Sequence, residues 1–304
     1  MDTLALSVRG LVKDYATVRA LNGVDLDVRR GEVLGFLGPN GAGKSTTIRI
    51  LLDLLRPTAG TAEILGVPTH LATPELRARI GYLPGELSMP PAKTAGAYLH
   101  YLAALRGGAG ADRIAPLSHR FSLDLDRQIR GLSKGNKQKV GVVQAFMHSP
   151  ELLILDEPTS GLDPLLQREF LDLVGEAHDA GATVLMSSHV LSEVEEAAGR
   201  VAIIRAGVVV DVDDVAELRR RAGQQVLLQF DEPADVTWFA HVPDLTDVVA
   251  DGTTLHVRLH GEPDALLKAA AAHRVFRWQA QDRELEDLFL DTYRGGSLST
   301  DGAR

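Results

Sequence analysis

A chain of 304 residues with 45% hydrophobic and 24% charged residues has the composition of a folded globular protein, and its length leads us to expect two domains. It contains no cysteine, which excludes disulfides, thiolate metal sites and cysteine nucleophiles and fits a reducing compartment. A net charge of -9 argues against non-specific binding to nucleic acid or anionic lipid as the main activity, and no apolar run approaches the ~20 residues that span a bilayer.

From the N-terminus, Met1 to Leu11 lacks the layout of a signal peptide, so the chain is expected to stay in the cytoplasm unless a partner holds it at a membrane. Leu4-Ala5-Leu6-Ser7-Val8-Arg9 alternates like a strand and Leu26-Asp27-Val28-Arg29 repeats the pattern, which predicts an antiparallel β layer. Tyr15 lies between them, either a half-buried packing residue or an aromatic placed to stack on a flat ring such as adenine. The apolar run Val33 to Leu37 suits a buried parallel strand, and Thr47 to Leu55 carries apolar residues at helical spacing. Between them Gly38-Pro39-Asn40-Gly41-Ala42-Gly43-Lys44-Ser45-Thr46 fits G-x-x-x-x-G-K-[ST] without a gap, in the strand, loop and helix context that motif requires. Its glycines let the backbone turn N–H groups toward phosphate oxygens, and the following helix adds the positive end of its dipole. In this reading Lys44 neutralises the β- and γ-phosphates of a nucleotide and the Ser45 hydroxyl ligates Mg2+; the bland alternative is a chance match in a glycine-rich turn.

Arg56 to Gly60 breaks the chain before a short strand at Thr61 to Gly66. Ile80-Gly81-Tyr82-Leu83-Pro84-Gly85-Glu86 predicts a strand running into a loop, followed by a mainly helical insert over about 87–149. Within the insert, Leu132-Ser133-Lys134-Gly135-Asn136-Lys137-Gln138 opens a helix that Ser149-Pro150 stops. The hydroxyl, the glycine N–H and the helix N-terminus there make either a second anion site or a plain helix cap. Leu152-Leu153-Ile154-Leu155 is a buried strand that delivers Asp156 and Glu157 at its C-terminal end, where open α/β sheets place their ligands. Asp156 suits a Mg2+ ligand and Glu157 a general base acting on water, against the alternative of a helix cap. The loop from Pro158 to Pro164 contains Ser160-Gly161-Leu162-Asp163, and helical spacing follows over Leu166 to Ala180. The buried strand Thr183 to Ser187 leads to His189, which taken alone is either incidental or catalytic.

Val201 to Asp211 reads as a hairpin and Val215 to Arg221 as a helix. After Gly223 the texture changes to a strand at Gln225 to Phe230, a hairpin around Asp251-Gly252, a helix at Asp264 to Ala272, a strand at Val275 to Gln279 and a helix at Arg283 to Tyr293. These compose a small α+β unit without a visible active site, and 295–304 is expected to be a loose tail. From Gln225 onward fourteen acidic residues stand against seven basic ones, which reads as a solvated surface. The expected division is therefore 1–222, 223–294 and 295–304.

In this order and spacing the motifs resemble the ATP-binding cassette ATPases, the nucleotide-binding subunits of ABC transporters, over residues 4 to about 220. The resemblance implies an α/β P-loop NTPase core with a mixed sheet, an antiparallel β layer and a helical subdomain. It also implies roles. Tyr15 is similar to the adenine-stacking aromatic, Gly38 to Thr46 to the Walker A loop, and Asp156 with Glu157 to the Walker B pair. Leu132 to Gln138 is similar to the signature sequence, Ser160 to Asp163 to the D-loop, and His189 to the switch histidine that senses γ-phosphate. ATP and Mg2+ are the implied cofactors, with Asp163 counted among the nucleotide-binding residues. Such cassettes sandwich two ATP molecules head to tail, so a second ATPase subunit is implied, a second copy in a homodimer closing on ATP or else a related subunit, with Ser133 and Gly135 as donors across the interface.

Two places depart from the family pattern. Lys134 and Asn136 stand where glycine and glutamine are usual in the signature. Gly85 occupies the place of the Q-loop glutamine, which contacts Mg2+ and the attacking water; since glycine supplies no ligand, Glu86 or a water is expected to substitute. The C-terminal unit, with Glu284-Leu285-Glu286-Asp287-Leu288-Phe289-Leu290 near its end, resembles the accessory domain of ABC-2-type antibiotic and daunorubicin resistance ATPases. That implies export of hydrophobic small molecules such as drugs or antibiotics through a separate multi-span ABC-2 permease, which would hold the ATPase at the inner face of the cell membrane; no nucleic acid is expected as a partner. The rival readings are a soluble cassette protein acting on the ribosome or DNA and a non-hydrolysing regulatory subunit, the latter suggested by Gly85 and opposed by Glu157 and His189.

Overall fold

The computed structural model describes residues 3–282, so the predicted helix from Arg283 to Tyr293, the stretch Glu284 to Leu290 and the tail lie outside the described residues. The chain divides into two compact units, Met1–Asp213 and Asp214–Arg304.

In the first unit, β1 (Leu4–Tyr15) and β2 (Val18–Arg29) form an antiparallel hairpin that buries Leu6, Val8, Leu11, Val24, Leu26 and Val28. The register slips between Val8 and Leu11, where Gly10 takes φ 53, and this irregularity breaks the alternation that marks β1 in the sequence. β1 therefore runs well past Arg9, and Tyr15 ends it, paired with Val18. β3 (Val33–Leu37), buried at every position, leads into α1 (Lys44–Leu51). That helix ends at Leu51 and not at Leu55, because the chain turns left-handed at Asp53, φ 56. β4 (Ala59–Ile64) and β5 (Val67–Pro68) complete an antiparallel sheet in the order β2-β1-β4-β5.

A short helix, α2 (Pro74–Ala78), precedes β6 (Ile80–Leu83), and the insert that follows carries α3 (Ala95–Leu105), α4 (Ile114–Arg120) and α5 (Lys134–Phe146). β7 (Leu152–Asp156), α6 (Pro164–Asp179), β8 (Thr183–Ser188), α7 (Leu191–Ala197), β9 (Arg200–Arg205) and β10 (Val208–Asp214) come next. The second sheet has the order β10-β9-β3-β8-β7-β6, with every pairing from β9 to β6 parallel. Strands covered on both faces read as unbroken apolar runs, as β3 and β7 do. Leu34, Phe36, Ile48 and Ile154 share one core with Leu6, Leu26 and Ile64 of the antiparallel layer, so the two sheets are fixed to each other through α1. The insert is keyed to this body twice. Phe146 of α5 meets Phe170 of α6 edge-on at 6.0 Å, and Gly81 admits α5 so closely that a Cβ there would stand 2.2 Å from the Ala145 carbonyl oxygen.

The second unit contains α8 (Val215–Ala222), β11 (Gln224–Phe230), β12 (Leu245–Asp251), β13 (Thr254–Leu259), α9 (Asp264–Ala270) and β14 (Val275–Asp282). Its antiparallel sheet, ordered β12-β13-β11-β14, packs Val226, Leu228, Phe230, Leu255 and Val257 against Leu266 and Phe239. Trp238 stacks on His273 at 3.6 Å beside this core. Gly252, at φ 58, makes the β12–β13 turn that Asp251-Gly252 predicts.

Removing the ring at the joint between insert and core has a computable cost. Phe170→Ala is expected to lower stability by about 3–5 kcal/mol, seen as a reduced denaturant midpoint, whereas Phe276→Ala, at a position 78% exposed in the second unit, leaves the midpoint unchanged.

Candidate functional site

The parallel strands β3, β8, β7 and β6 lie side by side, and the four loops that leave their C-terminal ends carry most of the residues singled out in the sequence. From β3 the chain enters a loop that needs glycine. A Cβ at Gly38 would stand 2.3 Å from the Ile204 carbonyl oxygen, and one at Gly43, φ 114, would stand 2.6 Å from Leu21 Cδ2. Pro39, Asn40 and Gly41 form an exposed lip, Ala42 and Gly43 are buried beneath it, and Ser45 and Thr46 are half-buried in the first turn of α1. Gly43 caps α1 without a side chain, so the first N–H groups of the helix remain available to an anion.

Lys44 is 5% exposed, and its ammonium donates to the carbonyls of Gly38 at 2.5 Å and Pro39 at 3.2 Å. A buried cation requires an anion, and Glu157 Oε1 lies 3.1 Å away. That oxygen is buried and makes no hydrogen bond; its contact with Lys44 is an ion pair outside hydrogen-bond geometry. The other oxygen, Oε2, accepts from Nδ1–H of His189 at 2.5 Å. Glu157 itself sits at φ 48, a left-handed conformation that side chains seldom adopt, and its N–H donates to Ser187 Oγ at 3.0 Å.

Asp156, only 3% exposed, accepts through Oδ1 from Ser45 Oγ at 3.1 Å and Ser187 Oγ at 2.7 Å. Its Oδ2 faces the loop after β6, 3.4 Å from where a Cβ of Gly85 would stand. Tyr82 lies on the strand before that loop, and burial together with the charge of Asp156 pushes its phenol up to about 12. Glu86 is exposed, and among the described residues none forms a hydrogen bond or ion pair with it. As a donor set for Mg2+, the Ser45 hydroxyl and the Asp156 carboxylate offer hard oxygens. No cluster of three or more His, Cys, Asp and Glu among the described residues forms a metal site on its own, so the ion would have to share its shell with phosphate and water. The residues fit the ion on those terms.

Two groups of expected site residues are placed elsewhere. Ser133 caps α5, its Oγ accepting from Asn136 N at 3.3 Å, while Lys134 Nζ donates to Ser160 Oγ at 3.0 Å. Gly135 is pressed on the next loop, where a Cβ would stand 2.4 Å from the Gly161 carbonyl oxygen. Asp163 caps α6, accepting from Leu166 N at 3.1 Å. Ser133, Gly135 and Asp163 thus form a second cluster, with no hydrogen bond or ion pair to Lys44, Asp156 or Glu157 within the described residues. Tyr15 is 42% exposed, with Lys13 Nζ 5.2 Å from its ring centre.

Sequence reasoning overlooks Ser187, which touches both acids, and the group Thr159, Ser188 and Glu193. Glu193 accepts from Thr159 Oγ1 and from Ser188 Oγ, each at 2.6 Å. The partners in these bonds come from different elements, the end of β8, the loop after β7 and the first turn of α7, and nothing local in the sequence marks them apart from two serines closing a buried strand.

Residues 21–160 match the family model described as ABC transporter. The daunorubicin/doxorubicin resistance ATP-binding protein DrrA of Streptomyces peucetius is 39% identical over 230 residues, covering 74% of this chain and 70% of that one. The bacitracin transport ATP-binding protein BcrA of Enterococcus faecalis is 33% identical over 303 residues, 97% of this chain and 98% of that one. A solved structure described as the ATP binding subunit of an ABC transporter superposes with a TM-score of 0.66 at 33% identity, over 71% of this chain and 92% of the other. With a glycine-built phosphate loop, an acid pair facing it from the end of β7 and relatives at this identity along nearly the whole sequence, the chain belongs to the ABC transporter family as one of its ATP-binding ATPase subunits.

Proposed function

We propose that the chain hydrolyses Mg-ATP at this site to power a separate ABC-2-type permease, exporting hydrophobic small molecules such as drugs or antibiotics. The observation that carries the reading is Glu157, held between the phosphate-loop lysine at 3.1 Å and His189 at 2.5 Å. The names of the drug- and bacitracin-related relatives support the cargo class.

Phosphoryl transfer to water demands charge neutralisation on the γ-phosphate and a base for the attacking water. The loop N–H groups and Lys44 answer the first demand, and a phosphate entering the loop competes with Glu157 for the ammonium. Released from Lys44, Glu157 Oε1 is the base, while His189 holds Oε2 and so orients the carboxylate. Ser45 and Asp156 would hold Mg2+, which supplies electrostatic stabilisation of the transferred group. Glu86 or a water completes the shell that Gly85 leaves open. Tyr15 stacks on the adenine.

The second cluster acts on a second copy. Ser133 and Gly135 at the N-terminus of α5 are donors to the nucleotide of a partner subunit, with Asp163 beside it in the D-loop, so ATP closes a head-to-tail homodimer. An apolar groove of about 190 Å³ lined by Leu51, Leu54, Ile64, Tyr82 and Arg106, next to the Gly85 loop, is the seat of the permease on the inner face of the membrane. No helix among the described residues is long and apolar enough to cross a membrane, in keeping with a separate membrane partner. The unit after residue 222 is read as an accessory domain. A non-hydrolysing regulatory subunit is the second reading, and the glycine at position 85 is the observation that favours it.

Turnover of Mg-ATP is expected to fall at least about a hundredfold in Glu157→Gln while ATP still binds, and the ATP-trapped variant should co-purify with a multi-span membrane protein at near-equal amount. Absence of wild-type turnover with the permease present would favour the regulatory reading. Glu86→Ala is expected to weaken the apparent affinity for Mg2+ in the turnover assay by about tenfold, and Gly85→Gln, whose Cβ would meet nothing closer than 3.4 Å, should remove that sensitivity.

A further inference from the structure

We propose that Glu193 is a positioning residue for hydrolysis, clamping the loop that follows Glu157 to the loop that carries His189. The inference rests on the reading that Glu157 and His189 act on the attacking water.

Glu193 lies in the first turn of α7, a helix whose N-cap residue, Val190, offers no side-chain bond. Its carboxylate does not cap that helix. Both oxygens are taken by hydroxyls from two other places, Oε1 by Thr159 and Oε2 by Ser188, each at 2.6 Å. The two hydroxyl residues are buried, Thr159 at 4% and Ser188 at 0% exposure. Thr159 stands two residues after Glu157, and Ser188 stands immediately before His189. Ser188 also binds the phosphate loop, since its carbonyl accepts from Gly38 N at 3.2 Å. The carboxylate therefore joins the loops after Glu157 and before His189 directly, and the Ser188 backbone ties them to the phosphate loop of Lys44.

The clamp has a rigid base. Val194, the next residue of α7, fills the space above Gly35 in β3, where a Cβ would lie 2.2 Å from Val194 Cγ1. The helix cannot slide along the sheet without a clash, so Glu193 refers both loops to β3. The clamp also answers a local need. Glu157 is held at φ 48, and a side chain in that region stays there only when its surroundings over-determine it. Glu157 meets His189, and Thr159 and Ser188 meet Glu193, so the two loops are crosslinked at two separate places. With both oxygens accepting from hydroxyls, Glu193 is not itself a base for water.

The test is ATP turnover by the full chain with its permease, in a cycle of Glu193→Ala and His189→Ala, with nucleotide affinity measured alongside. Glu193→Ala is expected to lower kcat about tenfold with nucleotide affinity within about twofold, and to cost less than about twofold in the His189→Ala background. Glu193→Gln should stay within about threefold of wild type, because an amide accepts from one hydroxyl and donates to the other. Thr159→Val, which removes one bond of the clamp, should fall between, and it carries the test should Glu193→Ala fail to fold. In protein labelled with 15N-histidine, Glu193→Ala should shift the His189 ring signals and Glu193→Gln should not. Equal losses in both backgrounds, or unmoved His189 signals with unchanged kcat, would overturn the clamp. Retained turnover in Glu157→Gln would instead overturn the reading beneath it.

Discussion

A carboxylate buried to 3% exposure at the end of a parallel strand is the constraint around which this site is arranged. Asp156 must be satisfied where water does not reach, and it recruits one hydroxyl from the first turn of α1 and one from the end of β8. Those two bonds hold the phosphate loop, the acid pair and the strand leading to His189 in mutual register. The sheet order places β8 between β3 and β7, so Ser187 is the natural bridge. Its hydroxyl donates to Asp156 and accepts from the backbone of Glu157, serving both acids at once.

Around that anchor the charges are arranged in alternation. The Lys44 ammonium meets Glu157, Glu157 meets the His189 imidazole, and the strained backbone of Glu157 is held from the side by Ser187. Such a row is compact because each group is the counterpart of the next, and a phosphate introduced at Lys44 changes the partner of every member beyond it. Binding and chemistry are thereby linked through one carboxylate with two distinct oxygens.

The sequence reveals what repeats or runs. The buried strands β3, β7 and β8 are legible because five or six apolar or small residues in a row admit few other readings, and the glycine-rich loop is legible because its spacing is set by phosphate geometry. The second half of β1 is obscured by the register shift at Gly10, and α2 and α7 are too short for a helical period to emerge. Ser187 and Glu193 are hidden for a different reason. Their partners Asp156 and Thr159 lie 31 and 34 residues away, and only the parallel pairing of β7 with β8 brings them together. The family resemblance supplies roles for Tyr15, Ser133 and His189 that a single histidine, tyrosine or helix cap does not declare.

The contact between Gly135 and Gly161 has a mechanical meaning. Two bare backbones touch there, with the Lys134 side chain laid across the seam and bonded to Ser160. Side chains can absorb a small displacement by rotating, but peptide groups in direct contact have no such slack. Four residues of loop separate the end of β7 from Gly161, whose carbonyl stands against the first turn of α5. At this seam a displacement of either backbone has to be met by the other backbone and not by a side-chain rotation.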